Sequence, residues 1–353
     1  MSKQKIQLSD HFDYSRLLRF VLPCIGTMLF TSIYGIVDGL CVSNFVGKTA
    51  FAAVNLIMPL PMLLGTIGFM LGTGGSAIVG ITLGEGDREK ADRYFSLFVW
   101  TGLVAGLLLA VVGFFAVRPA ASLLGAKGEM LDYAVRYGRL LMICLPFFIL
   151  QNMFQSFFVT AEKPHLGFTF TVAAGVTNMV LDVVLVGMLH GGVEGAAIAT
   201  FISQAVGGVL PVLYFLNKRS TSSIHLGRAQ WNGGVIRSAC INGSSELMTN
   251  LSMSLVNILY NYQLLRFAGE NGVAAYGVIM YAAFLFVAVF VGYAVGSAPI
   301  VSYHYGARNH AELNNLYSKS LRLIGVIAVV MTALSMLVIP YVARIFVGYD
   351  AEL

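Results

Sequence analysis

Charge is what this sequence has least of. Lys, Arg, Asp and Glu make up 11% of its 353 residues, against about 25% in soluble chains. A chain this poor in polar residues cannot cover soluble cores of its own size, which excludes soluble α/β, disordered and fibrous folds. Cysteine is scarce as well. Cys24, Cys41, Cys144 and Cys240 sit in apolar segments without ligand-like spacing, so a disulfide framework or a metal site built on them is excluded. There is no dense basic run. The 22 Lys and Arg are scattered, and the net charge of +5 does not make nucleic acid a partner. Proline and glycine lie inside apolar stretches rather than in linkers. What is present is hydrophobic: 57% of residues are apolar and the mean hydropathy is +0.78. The expected class is an all-α polytopic membrane protein.

A membrane helix needs about 20 largely apolar residues. Nine segments qualify: 17–41, 51–83, 94–117, 133–159, 166–189, 193–216, 234–265, 272–303 and 316–340. The first has no small-residue cleavage site and reads as a retained helix, not a signal peptide. With the N-terminus in the cytoplasm, 15 basic residues fall inside and 7 outside, the bias expected of that orientation. Nine crossings leave the C-terminus outside.

An internal repeat lies under these spans. At an offset of 222, ten positions between 47 and 84 are identical, among them Gly74 with Gly296 and Gly84 with Gly306. The loop Gly84-Glu85-Gly86-Asp87 corresponds to Gly306-Ala307-Arg308-Asn309. Six helices separate the copies, so both keep the same orientation, the parallel repeat of two-lobed transporters. The expected division is a six-helix lobe over 1–216 and a partial lobe over 217–353. About nine of twelve helices are then present, and the sequence stops where a tenth is expected.

Of the 17 acidic residues, Asp38, Asp182 and Glu246 alone lie deep in apolar segments, and no Lys or Arg sits at comparable depth. A carboxylate at mid-membrane costs at least about 2.5 kcal/mol and is a functional candidate by default. Asn178 precedes Asp182 by one turn, Tyr34 precedes Asp38 by one turn, and Thr200 follows the small-residue run Gly195-Ala196-Ala197. Together they offer an oxygen-rich pocket for Na⁺, or for a proton on a carboxylate made more basic by burial. The competing reading is that these groups only bond one another between helices. Glu246 stands alone in Asn242-Gly243-Ser244-Ser245-Glu246, with a substrate or proton role in view. Gln151, Asn152 and Gln155 read as interhelical glue, and none of the six His residues is assigned a site.

These segments carry a resemblance. Pro23 with Asp38, the Gly84–Asp87 loop, Asn178-Met179-Val180-Leu181-Asp182, Gly195–Thr200, Ala274-Ala275-Tyr276 and Gly306–Asn309 stand in an order and spacing similar to the multidrug and toxic compound extrusion (MATE) family, bacterial branch. The resemblance implies twelve helices in two lobes and export of organic cations by antiport with H⁺ or Na⁺ across the bacterial plasma membrane. It implies a monomer and a transporter, not an enzyme, with no cofactor besides the coupling ion. It implies a cation site at Asp38, Asn178, Asp182 and Thr200, with Pro23 permitting the first helix to bend. Glu246 departs from the position where some sodium-coupled members carry an acid. The alternative within the same superfamily is a flippase for lipid-linked precursors, which would need Lys or Arg in the central cavity.

Overall fold

A computed structural model describes residues 6–46 and 48–347; side chains at 36–44 and 337–347, and several between 48 and 52 and between 250 and 285, lie outside the description. The described backbone holds nine α-helices and no strand: α1 Tyr14–Phe45, α2 Lys48–Ile57, α3 Pro59–Gly84, α4 Arg88–Leu123, α5 Gly128–Thr160, α6 Pro164–Leu181, α7 Gly192–Leu216, α8 Gly233–Gly306 and α9 His310–Val347. Residues Asp182–Met188 prolong α6 as a π-helical segment. Among the described residues, eight helical stretches are long and apolar enough to cross a membrane. The seventh expected span lies in the half of α8 whose side chains are only partly described.

Two boundaries differ from the sequence expectation. The span 51–83 divides at Met58, because Pro59 and Pro61 have no N–H to give the carbonyls of Asn55 and Ile57. Spans seven and eight, expected to separate near 266–271, are joined in the 74-residue helix α8. No proline stands in Phe267–Val273, so nothing there prevents a residue from donating to the fourth carbonyl before it.

A straight helix of that length would run to about 111 Å, more than three times a bilayer core. Its contacts show that α8 doubles back. A Cβ on Gly74 would meet the Ala239 carbonyl, and one on Gly84 would meet the Tyr303 carbonyl. Gly74 and Gly84 are only about 15 Å apart along α3. The first limb of α8 is antiparallel to α3 and the second parallel to it, as two successive crossings require. α8 also lies on α1, where Gly292 meets Ile25 and Gly296 meets Val21 and Cys24.

The offset of 222 is visible in atomic detail. Gly84 packs on Tyr303, and Gly306 packs on Ile81, its counterpart in the other copy. The turn after α3 closes with Glu85 N to Ile81 O at 2.9 Å, and the turn after α8 with Ala307 N to Tyr303 O at 2.9 Å. Gly86 (φ +88°) and Arg308 (φ +54°) hold the same left-handed position. Asp87 then caps α4 by accepting from Lys90 N at 3.0 Å, and Asn309 caps α9 by accepting from Glu312 N at 3.1 Å. These contacts lie at the end of the bundle where α1 starts and where α3 and the second limb of α8 finish, and they close that end.

Two buried apolar groups hold the bundle. The larger spans α2 to α7 and the start of α8. Its aromatic centre joins Phe95, Phe154, Phe157, Phe158 and Phe215, with Phe95 4.8 Å from Phe157 and 4.9 Å from Phe215. The smaller joins Leu8 and Phe12, ahead of α1, to α1, α8 and α9.

Candidate functional site

α6 carries the buried carboxylate. Asn178 is 2% exposed and Asp182, one turn further, is fully buried. Asp182 opens the π-helical segment. A π-turn adds a residue to the helical circuit, widening the backbone where it occurs, and such turns recur at functional positions. The segment ends against the start of α7, with Gly191 N donating to Leu185 O at 2.8 Å. His190 and Gly192 then take left-handed conformations at φ +51° and +59°.

α1 and α7 both pack on α6 and on its π-helical extension. On the α1 side the rings of Phe30 and Tyr34, 6.1 Å apart, bear on Gly175, one turn below Asn178. Tyr34 is half-buried there. The backbone of α1 is helical through residue 38, while the side chain of Asp38 lies outside the described residues. On the α7 side, a Cβ on Gly195 would lie 3.1 Å from the Leu185 carbonyl, so the small-residue run does bring α7 close. Thr200 is half-buried on the same helix. Its hydroxyl donates to Ala196 O at 3.0 Å, which spends its proton and leaves lone pairs to accept or coordinate.

Asn178, Asp182, Tyr34 and Thr200 therefore lie on three mutually packed elements. Glu246 is half-buried on the first limb of α8. Pro23 is buried inside α1, where its missing N–H leaves the Arg19 carbonyl without its helical partner. Thr27 Oγ1 donates to Pro23 O at 2.9 Å and Thr31 Oγ1 to Thr27 O at 2.8 Å, a pattern that favours bending. Around and beyond Pro23 the neighbours of α1 change gradually. Val21, Cys24 and Ile25 pack on α8, whereas Gly26 packs on Phe168 of α6, and Phe30 and Tyr34 on Gly175.

Two groups have larger parts than their sequence suggested. Gln151 and Asn152 are 8% and 4% exposed. Among the described residues Gln151 Oε1 and Gln155 Oε1 accept no hydrogen bond and Asn152 Nδ2 donates none. Glycines opposite explain it: Gly207 meets Gln151 and Gly68 meets Asn152, and neither has a side chain to offer. Gln155 lines a small cavity with Thr27, Met28, Gly167 and Val295. The second group is the segment before α1. Leu8 N donates to Glu162 at 2.8 Å, Phe12 N to Glu312 at 2.9 Å, and His11 Nδ1 pairs with Glu312 at 2.6 Å. His304, 2% exposed, lies beneath it beside the Leu8 and Asp10 carbonyls, with neither ring nitrogen in a well-aligned bond. Nothing local in the sequence marks these long-range bonds.

Comparison with known proteins follows the same lines. The MatE family model matches residues 23–184 and 247–353. The multidrug export protein MepA of Staphylococcus haemolyticus (strain JCSC1435) is 25% identical over 303 residues, which covers 86% of this chain and 67% of that protein. A crystal structure of MATE in complex with MaL6 superposes with a TM-score of 0.92 at 24% identity, over 99% of this chain and 78% of the other. An outward-facing multidrug resistance MATE transporter of the MOP superfamily gives 0.90 at 25% identity, over 98% and 77%.

Proposed function

The chain belongs to the MatE family, and from that premise we propose that it is a secondary antiporter exporting drug-like organic cations in exchange for inward H⁺ or Na⁺. The observation that carries the reading is Asp182: a fully buried carboxyl at the start of a π-helical segment, one turn from the buried Asn178, between α1 and α7. Resemblance to a multidrug export protein supports the substrate class.

The residues 1–216 and 217–353 form the two lobes. Their contact along α1, α3 and α8 closes one end of the bundle, and the basic loop residues around that end support reading it as the cytoplasmic one. A coupling cation reaches Asp38 and Asp182 from outside, with Asn178, Thr200 and Tyr34 supplying further oxygens. Binding removes the cost of holding ionised carboxyls in the membrane and lets α1 and α6 pack more closely. α1 bends at Pro23 as it does so. Exchange follows because coupling ion and substrate favour different arrangements of the lobes.

Efflux of a fluorescent organic cation by the protein in lipid vesicles, under a proton or sodium gradient, is the test. Asp182→Asn and Asp38→Asn are each expected to lower efflux at least about tenfold, the loss of roughly one charge-assisted interaction. Asp132→Asn, exposed in the first turns of α5, is the control. Undiminished efflux in both site variants would refute the assignment.

A further inference from the structure

The segment ahead of α1 bridges the two halves of the chain at the closed end. At Leu8 its backbone N–H is held by Glu162, in the turn between α5 and α6. Four residues on, at Phe12, it is held from α9. Glu312 accepts from the Phe12 N–H and pairs with His11, while Asn315 Nδ2 and Lys319 Nζ donate to the Phe12 carbonyl at 3.0 and 2.6 Å. The Leu8 and Phe12 side chains are buried with Val159 of α5, Tyr293 and Ile300 of α8 and Leu316 of α9. Glu162 occupies the left-handed position after α5 at φ +61°, where glycine is the unstrained choice. The strained glutamate is the residue that reaches Leu8, and strain retained at one position points to a use for its side chain.

We propose that residues 6–13 form a latch that keeps the cytoplasmic end shut, fastened permanently to α9 through Glu312 and reversibly to the first lobe through Glu162. The inference rests on the alternating-access reading given above. The two fastenings are four residues apart, so the latch can span at most about 14 Å between them. Rocking that opens this end draws the turn between α5 and α6 away from α9, and one fastening must let go. Leu8 is buried like Phe12, but among the described residues the Glu162 end has a single hydrogen bond. The Glu312 end has four polar contacts to His11 and Phe12 and the fully buried Phe12 ring. Glu162 therefore releases, and the segment stays with α9. The foot of α1 goes with it, and Pro23 inside the helix is where α1 can bend to allow this.

Spin-label distances in the protein reconstituted in nanodiscs test this. Labels go at Glu89 and His310, both exposed at the closed end on either side of the seam, with the native cysteines replaced and efflux retained. The expected result is a short distance with a minor longer one. Glu162→Ala should raise the ratio of long to short by about twofold to tenfold, the range for one lost hydrogen bond, and Glu162→Gln, which keeps an acceptor, should not. A label at Gln7 should stay close to His310 in both populations and move away from Glu89 in the longer one. If a transported cation shifts the Glu89–His310 distance but Glu162→Ala leaves it as in wild type, the latch is wrong and alternating access stands. A Gln7 label that parts from His310 also overturns the latch. A single distance that neither cation nor substitution moves overturns both.

Discussion

Glu162 shows how one side chain can be held against two of its own preferences. Its backbone is left-handed and its carboxyl is half-buried. Burial pushes the carboxyl above the usual range and nearby Asp10 adds to this, while the Leu8 N–H, Lys163 and Arg88 pull the other way without winning. With the folded value raised, the native state holds the proton more tightly than the unfolded chain. The contribution to stability is complete below the ordinary carboxylate range, near pH 4, and is lost as pH rises through the raised folded value. Thermal unfolding of wild type and Glu162→Gln across this range should therefore show wild type losing ground to the variant as pH increases. A pH-independent gap would mean that Glu162 titrates alike in both states. The sequence contains no trace of this arrangement, since a bond across 154 residues has no local pattern. By contrast Asp182 was legible, because a lone acid in an apolar run is costly whatever surrounds it. Gln151 and Asn152 were legible as polar, but the glycines facing them come from other helices and could not be paired with them beforehand.

At the scale of helices, apolar length set the spans, and proline and glycine set their irregularities. The division at Met58 follows from Pro59 and Pro61 and was masked in sequence by the unbroken hydrophobicity around them. The π-helical turn at Asp182 was not visible at all, since it depends on how α6 is packed between α1 and α7 rather than on composition. Proline inside α1 has a more definite meaning once its surroundings are known. Val21, Cys24 and Ile25, on both sides of Pro23, pack on α8, and from Gly26 onward α1 also packs on α6. A Pro23→Ala variant regains a donor for the Arg19 carbonyl and should straighten the helix. Its unfolding temperature is expected to rise, by an amount equivalent to no more than about 3 kcal/mol, the cost of an interior proline. Its efflux is expected to fall, because α1 then loses the point at which it bends most readily. Efflux at the wild-type rate with a raised unfolding temperature would show that bending at this residue is dispensable.

Across the whole molecule the repeat is the main organising fact, and it explains which glycines cannot be replaced. The 222-residue offset relates Gly84 to Gly306 and Ile81 to Tyr303, and in the folded protein each glycine abuts the other copy's partner residue. The contact is thus made twice, by symmetry, at the end of the bundle where α1 starts. Gly86 and Arg308 show that the two copies keep one turn geometry even where only one retains glycine, so backbone shape has outlasted residue identity. Gly84 and Gly306 have no such latitude, because a single methyl on either would press on a backbone carbonyl of the facing helix. Gly84→Ala and Gly306→Ala should accordingly cost similar amounts, about 1–3 kcal/mol each for overpacking. The double variant should cost less than their sum, since the first substitution has already parted α3 from α8 at the point where the second acts. Both singles should also raise the share of the longer Glu89–His310 distance, because they weaken the closed arrangement and leave the proposed cation site untouched. A pair of substitutions whose costs add fully, or of which one is silent, would show that the two contacts are separate and that the repeat does not act as a unit in closing this end.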